Sequence, residues 1–142
     1  MKELAFLLLC VGVSFHASGA ELADDTHSRF QIRQDQEVLH VEPAPHEGSG
    51  QTKAYRYFDD IKDAGIVFRK RALSRGGAIG MHVLGHEEVY YVLSGQAELT
   101  VDEVQRALRP STAVYMAKGA NVGIRQTGDD DLVLIIAYPA PK

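Results

Sequence analysis

The chain has 142 residues, with 15 Lys and Arg against 19 Asp and Glu and a net charge of −4. That length supports one domain around one core. The mildly acidic balance, with no basic patch interleaved with aromatics, excludes a nucleic-acid partner, and no apolar run after the first twenty residues is long enough to span a membrane.

Residues 1–20 read as a signal peptide. Lys2 supplies a positive start, Leu4 to Val13 an apolar core, and Ser18-Gly19-Ala20 a small-x-small cleavage site. Cleavage near Ala20 is expected, and with it a periplasmic or secreted protein. The only cysteine, Cys10, lies inside this segment. Leu7-Leu8-Leu9 precedes it, without the small residue that a lipidated cysteine would need. The mature chain is therefore expected to hold no disulfide and to do no cysteine redox chemistry.

Residues 21–50 are expected to form a flexible N-terminal arm. Glu21 to Gln36 is polar and has no hydrophobic period. Val38 to Val41 has the pattern of a short strand, and Pro43, Pro45, Gly48 and Gly50 mark an irregular crossing. His40 and His46 lie here, either exposed to solvent or reaching over the mouth of a barrel.

Residues 51–142 are expected to form one all-β domain. Thr52–Phe58 is a loosely alternating aromatic strand, and Asp59 to Gly65 a turn. Ile66–Leu73, Ile79–Leu84, Glu88–Leu93, Gln96–Val101, Val104–Leu108, Ala113–Met116, Val122–Gln126 and Leu132–Tyr138 follow as short strands. Gly76-Gly77, Ser94-Gly95, Asp102-Glu103, Pro110-Ser111, Lys118-Gly119 and Thr127-Gly128-Asp129 separate them. Strands at this spacing without helices indicate a sandwich or barrel.

Chemistry concentrates between Gly76 and Gly95. His82, His86 and Glu88 stand before the buried strand Val89-Tyr90-Tyr91-Val92-Leu93. Imidazole and carboxylate bind borderline divalent ions such as iron, zinc, manganese or nickel. In an extended chain, alternate side chains share a face, so positions 82, 84, 86 and 88 can converge. Two histidines and one carboxylate also describe a facial triad with open positions. The competing reading makes His86-Glu87-Glu88 a polar rim of the barrel, with Glu88 paired to Arg69 or Arg71.

Gly76, His82, Glu88 and Gly95 stand at the spacing of the first motif of the cupin family, which this stretch resembles. The family's second histidine falls on Leu84, and His86 takes its place. The second motif falls on Ser111, Ala117, Gly119, Val122 and Gln126, where only Gly119 matches and Val122 replaces a ligand histidine. The resemblance covers residues 66 to 138. It implies a double-stranded β-helix, the cupin jelly-roll barrel, with ligands pointing into the bore. It also implies a homodimer packed sheet to sheet.

Three further residues are candidates for contact with a bound molecule. Arg69, like Arg71, suits a carboxylate or phosphate. Tyr90 shares the parity of Glu88 and is expected in the bore, with Tyr91 and Leu93 facing away. Gln126 shares the parity of Val122 and is expected to point inward.

Two functions are compatible with these residues. One is a secreted cupin that binds a divalent metal through His82, His86 and Glu88 and acts on a small polar molecule, a sugar or organic acid. The other is a non-catalytic module that holds such a molecule without metal. The fold does not choose a reaction, and no catalytic residue is assigned.

Overall fold

Short alternating runs bounded by turn residues become ten strands among the described residues. The computed structural model describes residues 29–141; the expected signal segment with Cys10, and the arm as far as residue 28, lie outside the described residues. The chain divides after Gln31 into two units. Residues 29–31 are irregular, and every helix and strand among the described residues belongs to the second unit.

The elements run α1 (Asp35–Val38), β1 (Leu39–Pro43), β2 (Gln51–Arg56), β3 (Ile66–Leu73), β4 (Ala78–Val83), β5 (Glu88–Ser94), β6 (Gln96–Val101), β7 (Val104–Leu108), β8 (Ala113–Met116), β9 (Asn121–Thr127) and β10 (Leu132–Pro139). They form a six-stranded sheet, β1-β2-β3-β10-β5-β8, and a four-stranded sheet, β4-β9-β6-β7. All pairings are antiparallel. This is the expected jelly-roll architecture, and each strand expected from Ile66 onward is present.

The described part of the expected arm carries two regular elements. From Asp35 the chain forms α1, whose Glu37 carboxylate accepts the Gln34 backbone N–H at 2.6 Å. β1 then adds an edge to the large sheet, with Glu42 opposite Thr52. The short strand expected over Val38 to Val41 is thus present as β1.

The core lies between the sheets. Leu73, Leu132, Leu134, Val92 and Val122 are fully buried there, with Leu99 and Ile124 beside them. β5 shows the underlying rule. Glu88, Tyr90 and Val92 face in and are buried, whereas Val89, Tyr91 and Leu93 face out. Gly95 makes the tight turn from β5 to β6 at φ 76°; a Cβ there would lie 2.3 Å from the Asp131 carbonyl oxygen, so both the turn and the close approach require glycine.

Candidate functional site

Strand register decides which polar side chains meet. On β10, Ile136 stands opposite Arg69 of β3 and Tyr90 of β5, while Leu134 stands opposite Arg71 and Val92. Arg69, Arg71, Glu88, Tyr90, Ile136 and Tyr138 therefore line one pocket at the mouth of the bore, joined by Ile79 and His82 from β4 and by Pro45 and His46. Its volume is about 110 Å³.

The cations in this wall are already engaged. Buried Arg71 donates to Thr52 Oγ1 at 2.6 Å and to Glu42 Oε1 at 3.0 Å. Glu42 also pairs with Arg56. Arg69 donates through Nη2 and Nε to the two Asp59 oxygens at 2.7 and 3.3 Å, and its guanidinium lies 5.9 Å from the Tyr138 ring centroid. Such pairing fixes the guanidiniums as rigid forks with further N–H groups to spare. The Arg69 and Arg71 pairing to Glu88 expected for a polar rim is not made; their carboxylate partners are Asp59 and Glu42.

Glu88 and Tyr90 form a buried couple. Burial raises the Tyr90 pKa, and the neighbouring Glu88 charge and the hydrogen bond to Glu88 add to it. Tyr90 is thus held as a neutral donor. Tyr138 is also shifted up, chiefly by burial and against the pull of Arg69.

The three proposed metal ligands separate into two groups. His82 and Glu88 face the pocket, but His86 is not in its wall. Its ring stacks on Tyr138, with centroids 4.3 Å apart, and its Nδ1 is 3.6 Å from Glu88 Oε1. The shared-face expectation for positions 82 to 88 needed a continuous extended chain. β4 ends at Val83, residues 85 and 86 bend, and the parity is lost. Leu84, in the family's histidine position, is buried in the core instead. Among the described residues, no three His, Cys, Asp or Glu side chains stand together as a set able to hold a metal ion.

Gln126 does point inward, yet its amide is committed. Nε2 donates to the carbonyls of Thr127, Gly128 and Asp130, and Oε1 accepts the Gly76 N–H at 3.0 Å. It ties two turns together and is not part of the pocket wall. His40 is exposed on β1, in a different, open groove.

The residue that sequence reasoning underweighted is His46. Its ring lies 3.6 Å from that of His82, nearly parallel at 7°. Burial, then the nearby His82 and Arg71 charges, lower its pKa. The sequence signal was there in part: the Pro43–Gly50 crossing could reach a barrel mouth, but nothing local to it named the partner.

Residues 72–138 match the family model described as a cupin domain. This segment is a cupin domain. Its fold recurs in a predicted oxalate decarboxylase from Thermotoga maritima, at 17% identity, covering 78% of this chain and 100% of that one, with a TM-score of 0.69. It recurs in the polyketide cyclase RemF from Streptomyces resistomycificus, at 18% identity, 79% and 81% coverage and a TM-score of 0.64. An RmlC-like cupin from Shewanella frigidimarina is similar at 17% identity, 81% and 93% coverage and a TM-score of 0.61. At these identities the likeness is one of fold. No curated protein sequence matches the chain.

Proposed function

We infer that the cupin domain binds a small organic acid at the mouth of its barrel. The observation that carries this reading is the convergence of Arg69, Arg71, His82, Glu88 and Tyr90 on a pocket of about 110 Å³. That space corresponds to about four water molecules, at ~30 Å³ each, so a short acyclic acid suits it better than a sugar ring. The guanidiniums favour the carboxylate end of the ligand.

A second reading adds a divalent metal held by His82, His86 and Glu88. One observation favours it: His82 Nδ1 lies 2.9 Å from the Gly80 carbonyl oxygen, a bond that leaves Nε2 free in the way metal-bound histidines are commonly fixed. His86 would have to leave Tyr138 to join it. Iron, zinc, manganese and nickel are the ions to measure.

The protein is proposed to act outside the cytoplasm, after removal of residues 1–20, and as a homodimer. The six-stranded sheet exposes Ile66, Phe68, Val89, Tyr91, Leu93 and Tyr115, and such a face is commonly covered by a partner. Sedimentation at micromolar concentration should give twice the chain mass, and an exported chain should begin at Glu21.

Calorimetric titration of untagged, chelator-treated protein with acetate, malonate and glucose separates the readings. Malonate binding without metal, stronger than glucose binding, supports the first. Binding that appears only after a divalent ion is restored supports the second. If neither the acids nor the ions bind, both fail.

A further inference from the structure

The cupin motif does not contain His46, yet the chain goes to some length to hold it at the pocket. His46 and Glu47 both adopt left-handed backbone, at φ 56° and 57°. For non-glycine residues this costs about 1–2 kcal/mol each, and it persists where the surroundings dictate it. Here they do. Ser49 and Ala78 exchange backbone hydrogen bonds at 3.1 and 3.0 Å, Gly80 N–H donates to the Pro45 carbonyl at 3.1 Å, and Ser49 Oγ donates to the Gly76 carbonyl at 2.7 Å. Residues 44–50 thus form a strap bonded along β4. The strap docks backbone on backbone: a Cβ on Gly80 would lie 1.8 Å from the His46 carbonyl oxygen, and one on Gly48 would lie 1.9 Å from that of Ala78.

The ring so delivered is unspent. One face covers His82, and neither ring nitrogen has a hydrogen-bond partner among the described residues. Gln126, Arg69 and Arg71, by contrast, are tied to protein partners. We propose that His46 is a ligand-contacting residue: its imidazole, placed by the strap, donates a hydrogen bond to the carboxylate of the small acid. This rests on the acid-binding reading and adds a residue that lies outside the family motif. The donor reaches the pocket wall that carries the two arginines only because β1 and the strap are folded; the strap, not the motif, completes the site.

The test is calorimetric titration of the full protein, freed of metal by chelator, with malonate. His46→Phe keeps a flat ring against His82 but has no donor, and His46→Ala removes the ring. Both should weaken malonate binding at least about tenfold, the loss of one hydrogen bond to a charged group. Gly80→Ala, which must push the strap off β4, should weaken it similarly although His46 is intact. His40→Ala, exposed on β1, should stay within about twofold of the parent, since it loses no charged hydrogen bond. Malonate binding by His46→Phe equal to the parent overturns the contact and leaves acid binding standing. No malonate binding by the parent overturns both. Amide spectra of each variant matching the parent outside residues 44–50 and 76–84 guard against loss of fold, and Gly80→Ala is set aside in favour of His46→Phe if they do not match.

Discussion

The two sheets divide the labour unequally. The six-stranded sheet supplies Arg69, Arg71, Glu88, Tyr90 and Tyr138 to the pocket, whereas the four-stranded sheet supplies only Ile79 and His82. Along β3 the inward side chains run Arg69, Arg71, Leu73, and along β5 they run Glu88, Tyr90, Val92, so polarity fades from mouth to floor. The inward positions of β9 begin with Val122 and Ile124, both buried and apolar. One sheet carries most of the polar side chains of the pocket, and the facing positions of the other are mainly apolar.

The floor of the large sheet is where the largest loss is expected. Leu134 is fully buried on β10, opposite Arg71 and Val92. Leu134→Ala leaves a cavity beneath the polar layer and should cost about 2–5 kcal/mol. Urea denaturation should show the midpoint falling with little change in slope. A cost under about 0.5 kcal/mol, the size of a neutral surface change, would mean that the two layers are not coupled through this contact.

The apolar wall can be tested at its centre. Val122 is fully buried and stands opposite His82 in the β4–β9 ladder. Val122→His inserts a polar ring into a dry slot and should cost about 1–3 kcal/mol. Under the metal reading, the same change restores a ligand at the family's position. Metal titration of this variant should then show tighter uptake than the parent's, and destabilisation should reverse when the ion is added. Stability that falls and is not rescued by zinc, iron, manganese or nickel keeps the contrast between the sheets as drawn.

Much of this contrast was legible in the sequence, and the reason is local. Alternation in β5 is a property of neighbouring residues, so it placed Tyr90 inward with Glu88, and Tyr91 and Leu93 outward, as found. Turn residues such as Gly95 marked the strand ends. The failures came where a fact is not local. His86 was assigned to the face of His82 by parity, which two bent residues cancelled. Gln126 points inward as its parity implied, but its three carbonyl acceptors belong to a turn whose shape depends on the far end of β9 and β10. The docking of Gly48 on Gly80 joins backbones distant in sequence, and backbones carry no side-chain signature.

The smallest effect concerns the outer face of the large sheet, where β1 and α1 are fastened. Lys70 of β3 pairs with Asp35 of α1, and Tyr57 donates to the same carboxylate at 2.6 Å. Lys70, then Tyr57, bonds to Asp35 and holds its pKa below the ordinary 3.8. The Lys70 ammonium is lowered by burial, but Asp35 and Tyr57 outweigh this and leave its pKa above 10.5. Asp35 is depressed on folding, so its contribution is whole above about pH 4 and is lost as pH falls through the lower folded value. Lys70 is raised on folding, so its share is whole below about pH 10.5 and is lost as pH climbs through the higher folded value. The Asp35 side chain is 47% exposed, so solvent screening holds the pair to about 0.2–1 kcal/mol. Asp35→Asn should therefore lower stability by that amount at every pH from about 5 to about 10, and the gap from the parent should close below about pH 4. Thermal denaturation across this range measures it. If the gap is unchanged at about pH 3, below the ordinary carboxylate range, the carboxylate charge is not what fastens α1, and the neutral hydrogen bond from Tyr57 carries the attachment instead.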